Sequence, residues 1–507
     1  MGRKEELMTR MLTLGAVALL SVFVTAAAFA AAAGEAGAAD DVIEVHSYDT
    51  VSHSAGSEAG TAQQVLDDVQ AYIEEQTGVR VFTHRIPRQG YIEQITLLLA
   101  SNDPMDVIAG IQVPQFQPKG ALKPINQWFD QIPNTRKAWT DIAWDKVSTT
   151  DGQTWAIPRG EVVTSWPVWI RGEYLREYGL EYPTTIDELE NVLEVFKQND
   201  PVGGGQTQVM ITSYAPHLRM VLAGGWLPDG YGPWLDTADN KVKPPELHPG
   251  FRDFIAKMHD WYEKGYIWPD SFNIPASEVR PVIYQGQFAT TAYWVSAVGI
   301  GKYTILKNFP DADPVYQRPI MGPAGMIETL NPAGTHGWVF PARSPDENTE
   351  AFLKVFEWQY SDVENYITGQ DGIKGQHWQW VEEGDTYEYI GNRQLFEDYR
   401  FAVGLPVEVQ ARVLSPEIEF WSEYLINGTD DLDGVKLPFD VSIVWDMTVI
   451  NDVVPMTDLK RLWDSEPVKF ITGQRPMSEW DDFQQEMRDA GVGKWVDEYT
   501  RQYNAMQ

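Results

Sequence analysis

No cysteine occurs anywhere in the 507-residue chain. Structural disulfides, zinc–thiolate sites and cysteine nucleophiles are excluded, as is a lipoprotein anchor, which needs a cysteine at its cleavage point. Basic residues are scarce beside acidic ones: 39 Lys+Arg face 73 Asp+Glu, a net charge of −34. That balance repels phosphates and anionic headgroups, which argues against nucleic acid or a membrane surface as partner. The eight histidines are scattered without metal-ligand spacing. No H-E-x-x-H, G-x-S-x-G or G-x-x-x-x-G-K-[ST] pattern marks hydrolytic or phosphate chemistry. Glycoside hydrolysis needs only two flanking carboxylates. A secreted glycoside hydrolase therefore stays open as an alternative, although no local motif marks such a pair. Beyond the first thirty residues no apolar run is long enough to span a bilayer.

What is present is a length suited to two or three lobes and an ordinary hydrophobic fraction of 43%. The aromatic load is heavy, with 20 Trp, 22 Tyr and 20 Phe. Tryptophan is favoured where a flat apolar face with one polar edge meets a ligand.

Residues 1–30 read as a secretory signal peptide. Arg3, Lys4 and Arg10 precede an uncharged stretch from Met11, and Ala28-Phe29-Ala30 supplies a small-x-small cleavage site. An uncleaved anchor is the competing explanation. Residues 31–41 form a flexible lead-in, and the mature chain is expected to be periplasmic or secreted.

Val42–Val45 is a β-branched run that predicts a first strand. Residues 61–76 place Val65, Val69, Tyr72 and Ile73 at helical spacing, ended by Gly78. Val79–Phe82, Tyr91–Ala100 and Asp106–Ala109 continue the alternation strand, helix, strand, which predicts a parallel α/β sheet. Further helices are expected near Arg171–Tyr178, from Thr185 to about Asn199, and over 250–264, 345–360 and 476–490. Thr185 and Glu188 have the spacing of a capping box. Ligands of open α/β sheets lie beyond the carboxyl ends of the strands. The loops 46–60 and 110–118 therefore make Tyr48 and Gln112 candidate contacts, against the alternative of ordinary loop residues.

Several stretches resemble one known family in order. Asp151-Gly152-Gln153-Thr154-Trp155-Ala156-Ile157-Pro158 resembles its "DGK.YaiP" segment. Pro183-Thr184-Thr185-Ile186-Asp187-Glu188 resembles "P.TidE", and Tyr262-Glu263-Lys264-Gly265-Tyr266-Ile267 resembles "YkeGli". Gln285-Gly286-Gln287-Phe288-Ala289 is similar to "f..GkvA", and Asp371-Gly372-Ile373-Lys374-Gly375 to "yGieG". Lys469-Phe470-Ile471-Thr472-Gly473, followed by Trp480-Asp481, resembles the family's tail. The chain, from about residue 42 to its end, thus resembles the family-1-like extracellular solute-binding proteins that serve ABC importers of sugars. The alginate-oligosaccharide and lipoprotein-type branch is the nearest.

The resemblance implies an α/β, two-lobed periplasmic-binding-protein (Venus-flytrap, type II) fold with an inter-lobe ligand cleft. One lobe is placed at 42–160 plus 326–374 and the other at 161–325 plus 375–507. It implies a monomer that captures a carbohydrate by lobe closure and hands it to membrane permease subunits, with no cofactor and no catalysis. A peptide or other polar cargo, or delivery to a membrane sensor, is the alternative on the same fold.

Sugars present apolar faces ringed by hydroxyls, so aromatic and planar polar groups near the crossovers become candidates. Trp166 lies beyond the first crossover; Trp169, three residues on, points to the opposite strand face. Trp294 follows the strand where relatives place a stacking aromatic. His336 and Trp338 flank the second crossing, His377 and Trp378 lie in the "GieG" loop, and Trp226 follows Gly224-Gly225. For each tryptophan, core packing is the competing explanation. Arg159 is expected either to grip the ligand through its planar fork or to form a hinge ion pair. No convergent Lys/Arg cluster is visible, which favours a neutral sugar.

Many relatives hold calcium in an EF-hand-like loop at the position of residues 200–208. Here only Asp200 keeps a carboxylate, and Val202 and Gly204 offer no side-chain oxygen. Calcium needs several hard oxygen ligands, so loss of this site is expected. The acidic run 429–434 reads as a solvated loop.

Overall fold

In a computed structural model, the structure describes residues 42–51, 59–87, 90–101, 103–139, 141–149, 151–159, 167–205, 207–212, 214–274, 276–293, 305–306, 308–316, 319–329, 336–384, 386–390, 438–440, 443 and 445–506. The expected signal peptide and lead-in, Trp166, Trp294 and the acidic run 429–434 lie outside the described residues. The described residues from Glu44 onward belong to one compact unit.

Among the described residues, nine strands build the two main sheets: β1 (Ile43–Val51), β2 (Val79–Pro87), β3 (Val107–Gln112), β4 (Ala156–Pro158), β5 (Val168–Arg171), β6 (Gln208–Thr212), β7 (Phe288–Ala292), β8 (Pro314–Val315) and β9 (His336–Val339). The first sheet runs β2-β1-β3-β9-β4 and the second β8-β5-β7-β6. The expected parallel pairing is present between β1 and β3 and between β6 and β7. Each sheet is nevertheless mixed. β9 returns from late in the chain and pairs antiparallel with β3 and β4, and β5 is antiparallel to β7. The chain thus passes from the first sheet to the second after β4 and comes back at β9.

Helices cover these sheets. The first sheet carries α1 (Ala59–Thr77) and α2 (Tyr91–Ala100); the second carries α3 (Ile186–Asn199) and α4 (Pro249–Glu263). Later come α5 (Asp346–Ser361), α6 (Val363–Asp371), α7 (Met456–Ile471), α8 (Trp480–Asp489) and α9 (Val492–Ala505). α3 shows why such segments fold as read. Ile186, Leu189, Val192, Leu193 and Phe196 recur at helical spacing and are all buried. The Thr185 hydroxyl accepts the Glu188 N–H at 3.2 Å. The Glu188 carboxylate turns back to Thr184, accepting its N–H at 2.7 Å and its hydroxyl at 2.8 Å. The expected capping box forms, with its return arm displaced by one residue.

Two cores result. Tyr48, Ile108, Ile111, Ala156 and Val339 of the first sheet pack with Tyr91 and Ile95 of α2. On the second side α3, α4 and the C-terminal helices close over β5 and β7, with Phe196, Phe254, Trp261, Phe470 and Trp480 buried together. Each fully buried aromatic of this kind contributes about 1.5–3 kcal/mol relative to an exposed one.

A hairpin, β10 (Trp378–Glu382) and β11 (Thr386–Tyr389), packs Trp378 and Tyr387 on Ile367 of α6. The Tyr387 hydroxyl donates to Asp371 Oδ2 at 2.7 Å. The hairpin therefore packs on α6.

Candidate functional site

The carboxyl end of β3, the start of β9 and the residue after β4 meet at one edge of the first sheet. Register sets Gln112 opposite His336, and the exposed Gln112 amide Nε2 lies 3.4 Å from His336 Nε2. The Arg159 backbone N–H donates to the His336 carbonyl at 3.3 Å. Three expected site residues, Gln112, Arg159 and His336, thus stand together.

The guanidinium of Arg159 is engaged from within. Its Nη1 and Nη2 donate to the two oxygens of Asp49 at 2.9 and 3.3 Å. Arg85 Nη1 donates to Asp49 Oδ2 at 2.9 Å. Asp49 is 1% exposed, so a buried carboxylate is clamped by two arginines. Arg159 also lies over the Trp338 ring at 5.5 Å. Glycine at position 110 makes room: a Cβ there would stand 2.6 Å from Arg159 Nη1, and φ is +71°. Of the two expectations for Arg159, this geometry is the ion pair at the crossover.

Four expected contacts are corrected by burial. Tyr48 is not in a loop, because β1 runs on through it. Its ring stacks on His84 at 4.4 Å and its hydroxyl donates to the Pro104 carbonyl at 3.1 Å. Trp338 is 1% exposed and packs between Phe352 and Phe356. Trp226 is buried against Phe254 in the second core. Trp378 is fully buried, its indole N–H donating to the Gly372 carbonyl at 2.7 Å. None of these four offers a ring face to a ligand. Trp169 is likewise core, since all four residues of β5 are buried. His377 is half-buried and its Nδ1 accepts the Ile373 N–H at 2.9 Å. Burial lowers the pKa of its imidazole, with Asp68 opposing.

A cavity of about 240 Å³ opens where the segment after β3 meets the C-terminal helices. Pro114, Gln117, Pro118 and Thr149 line one side, and Trp445, Asp446, Arg501, Gln502 and Met506 the other. The other cavity of note, about 30 Å³ among Phe251, Ile255 and Trp463, is interior to the helices and too small for a sugar ring.

Behind Trp445 the two sides are joined. Lys146, 6% exposed, donates from Nζ to the Asp440 main-chain carbonyl at 3.0 Å. The Trp445 indole N–H donates to Asp440 Oδ2 at 3.1 Å. Burial lowers the pKa of the Lys146 amine, with the nearby Asp440 opposing. Burial, then the same carboxylate, pushes the Tyr231 and Tyr499 phenols up. Trp445 is held by Tyr499 at 4.6 Å between ring centroids, and Tyr499 stacks in turn on Trp495 at 3.7 Å. Gln502 is fixed by Asp446, accepting its N–H at 2.8 Å. Arg501 is fixed by Glu498 at 2.6 and 2.9 Å.

Reading the sequence pointed to the 110–118 loop, where Gln117 sits. It missed Lys146, Asp440, Trp445 and Gln502, which lie far apart in the chain and in no motif. The heavy tryptophan count was the one signal that touched them.

The loop 200–207 closes on itself. Asp200 accepts the Gly205 N–H at 2.6 Å and the Thr207 N–H at 3.0 Å, and the Thr207 hydroxyl accepts the Val202 N–H at 2.8 Å. Both oxygens of its one carboxylate face backbone donors. This donor set does not fit calcium, which takes six to eight oxygens.

Two mixed sheets linked by two crossings, with a cavity of mixed polar and apolar lining at the seam, define a two-lobed solute-binding-protein fold. The chain belongs to the bacterial extracellular solute-binding protein family, whose model matches residues 55–365. It is 24% identical over 222 residues to the fructooligosaccharide ABC transporter substrate-binding protein FusA of Streptococcus pneumoniae, covering 39% of this chain and 41% of that protein. It is 20% identical over 358 residues to lipoprotein LipO of Bacillus subtilis, covering 66% of this chain and 69% of that protein. The matched part therefore spans less than half the length of FusA. The solved structure of the alginate-binding protein AlgQ2 without calcium ion aligns with TM-score 0.66 at 18% identity, covering 92% of this chain and 99% of that one.

Proposed function

We propose that this protein is the extracytoplasmic solute-capturing component of an ABC importer, and that its solute is a carbohydrate. The observation that carries this reading is the seam cavity, walled by the segment after β3 on one side and by Trp445, Arg501 and Gln502 on the other. A sugar bound there touches both lobes. Only a closed arrangement makes all the contacts, so the ligand shifts the open–closed equilibrium and the closed form is the one the permease reads. The names of FusA and AlgQ2, which refer to fructooligosaccharide and alginate, support carbohydrate as the class of cargo.

The lobes of this reading are 44–159 plus 336–390 and 167–329 plus 438–506. Gln112 and His336, beside the crossings, are the expected contacts that keep this role, and Gln117, Trp445 and Gln502 join them. His377 is retained only as a rim residue. The chain works as a monomer, exported by a signal peptide cleaved after Ala30, and turns over no substrate.

Thermal unfolding against mono- and oligosaccharides and short peptides tests this. A carbohydrate at 100 times its Kd adds about 2.7 kcal/mol of stability, and the sugar is recovered intact. A response to peptides alone, or consumption of the sugar, overturns the reading.

A further inference from the structure

The charges around the seam cavity are unequal. Asp446 and Arg501 line it, Glu498 holds Arg501, and Lys146 and Asp440 stand behind Trp445. Among the described residues, two cations thus stand in or behind the lining together with three carboxylates. Both cations are already engaged, Lys146 by the Asp440 carbonyl and Arg501 by Glu498. A carboxylate entering this space meets excess negative charge on a protein whose net charge is −34, and field lines concentrate in such clefts. A hydroxyl meets the reverse. Carboxylates accept O–H donors, the Gln117 amide both donates and accepts, and Trp445 supplies an aromatic surface.

We infer that the seam cavity is a subsite for a neutral sugar residue and discriminates against uronic acids, Asp446 serving as a hydroxyl acceptor whose charge repels a ligand carboxylate. This rests on the carbohydrate reading above and narrows it. The clamp at Asp49 does not alter the balance, because Arg159 and Arg85 are turned onto that buried carboxylate.

Calorimetric titration of the protein with matched ligands is the test. Gluco-, galacto-, manno- and fructo-oligosaccharides form the neutral set. Alginate oligomers and oligogalacturonates form the acidic set, and methyl-esterified oligogalacturonates remove the charge while keeping the backbone. The expected result is that a neutral series binds, every free uronate binds at least tenfold more weakly, and esterification relieves the weakness. A free uronate that binds as tightly as the best neutral sugar overturns the inference and leaves carbohydrate capture standing. Silence from every carbohydrate overturns both.

Asp446→Asn locates the effect. The Asp446 side chain accepts the Val449 N–H at 3.1 Å, a cap that asparagine fills equally well. The variant should narrow the gap between ester and free acid at least threefold, whereas an unchanged gap removes the subsite from this cavity. Gln117→Leu, on the opposite wall, should weaken the neutral ligand about tenfold, and unaltered affinity counts against the subsite in the same way.

Discussion

Lys146 reaches the main-chain carbonyl oxygen of Asp440, 294 residues away in sequence, with a hydrogen bond of 3.0 Å from a side chain that is almost wholly buried. It joins the segment before β4 to the segment before the C-terminal helices. Burial lowers the pKa of this amine below the ordinary 10.5. The unfolded chain therefore binds more protons than the folded one between those two values, and stability from this group rises with pH across that window. Lys146→Met should remove this increment, so that the difference in unfolding free energy between the two proteins changes through the window and is flat below it. Urea denaturation in a pH series measures it, and parallel pH curves would refute the assignment.

The Asp49 clamp should be a stability element. Asp49→Ala leaves two guanidinium groups facing each other at a buried edge, and breaking such a cluster costs about 3–5 kcal/mol. Arg85→Met leaves the Arg159 pair intact and should cost less. Equilibrium unfolding of the two variants gives the order.

Trp338 and Trp445 are both buried, but of the two only Trp445 lines the cavity. Trp338→Ala empties a packed site between Phe352 and Phe356 and should destabilise by about 3–5 kcal/mol, whereas Trp338→Phe should leave sugar affinity unchanged. Trp445→Ala should weaken sugar binding at least tenfold. Melting temperature read beside calorimetric affinity distinguishes the two roles, and a Trp338→Phe variant with lost affinity would place that ring in the site.

The loop at Asp200 should behave as a metal-free turn. Addition of calcium or of a chelator should leave the melting temperature unchanged, and Asp200→Ala should lower it with no rescue by calcium. Hydrogen bonds from Thr207 and Gly205 hold the Asp200 carboxyl below its ordinary 3.8. Its stabilisation is present above that value and is lost as pH falls through the lower, folded one. The difference between wild type and Asp200→Ala should therefore shrink in acid. A calcium-dependent rise in melting temperature would contradict the closed loop.

How far the sequence reached varies with the kind of question. α2 spans Tyr91–Ala100 as its pattern predicts, and α3 ends at Asn199. These are amphipathic helices whose period and caps are local. β1 is a different case. Its β-branched start was legible, but His46–Asp49 were read as a loop although the strand continues through them, since polar residues there are paired by neighbouring strands. Trp169 shows a further limit. β5 is buried on both faces, so alternation along the strand carries no direction toward a ligand.

The sequence by itself determined the family, the strongly acidic character of the chain, and the alternation of strands and helices, because periodicity, caps and composition act over a few residues. Only the tertiary structure decided which aromatics are core and which polar groups share a cavity. Asp49 with Arg85 and Arg159, Lys146 with Asp440, and Gln117 with Trp445 are each brought together by sheet pairing and helix packing across long stretches of chain. Burial, which turns a surface charge into a clamp and a tryptophan into filling, is a property of that assembly alone.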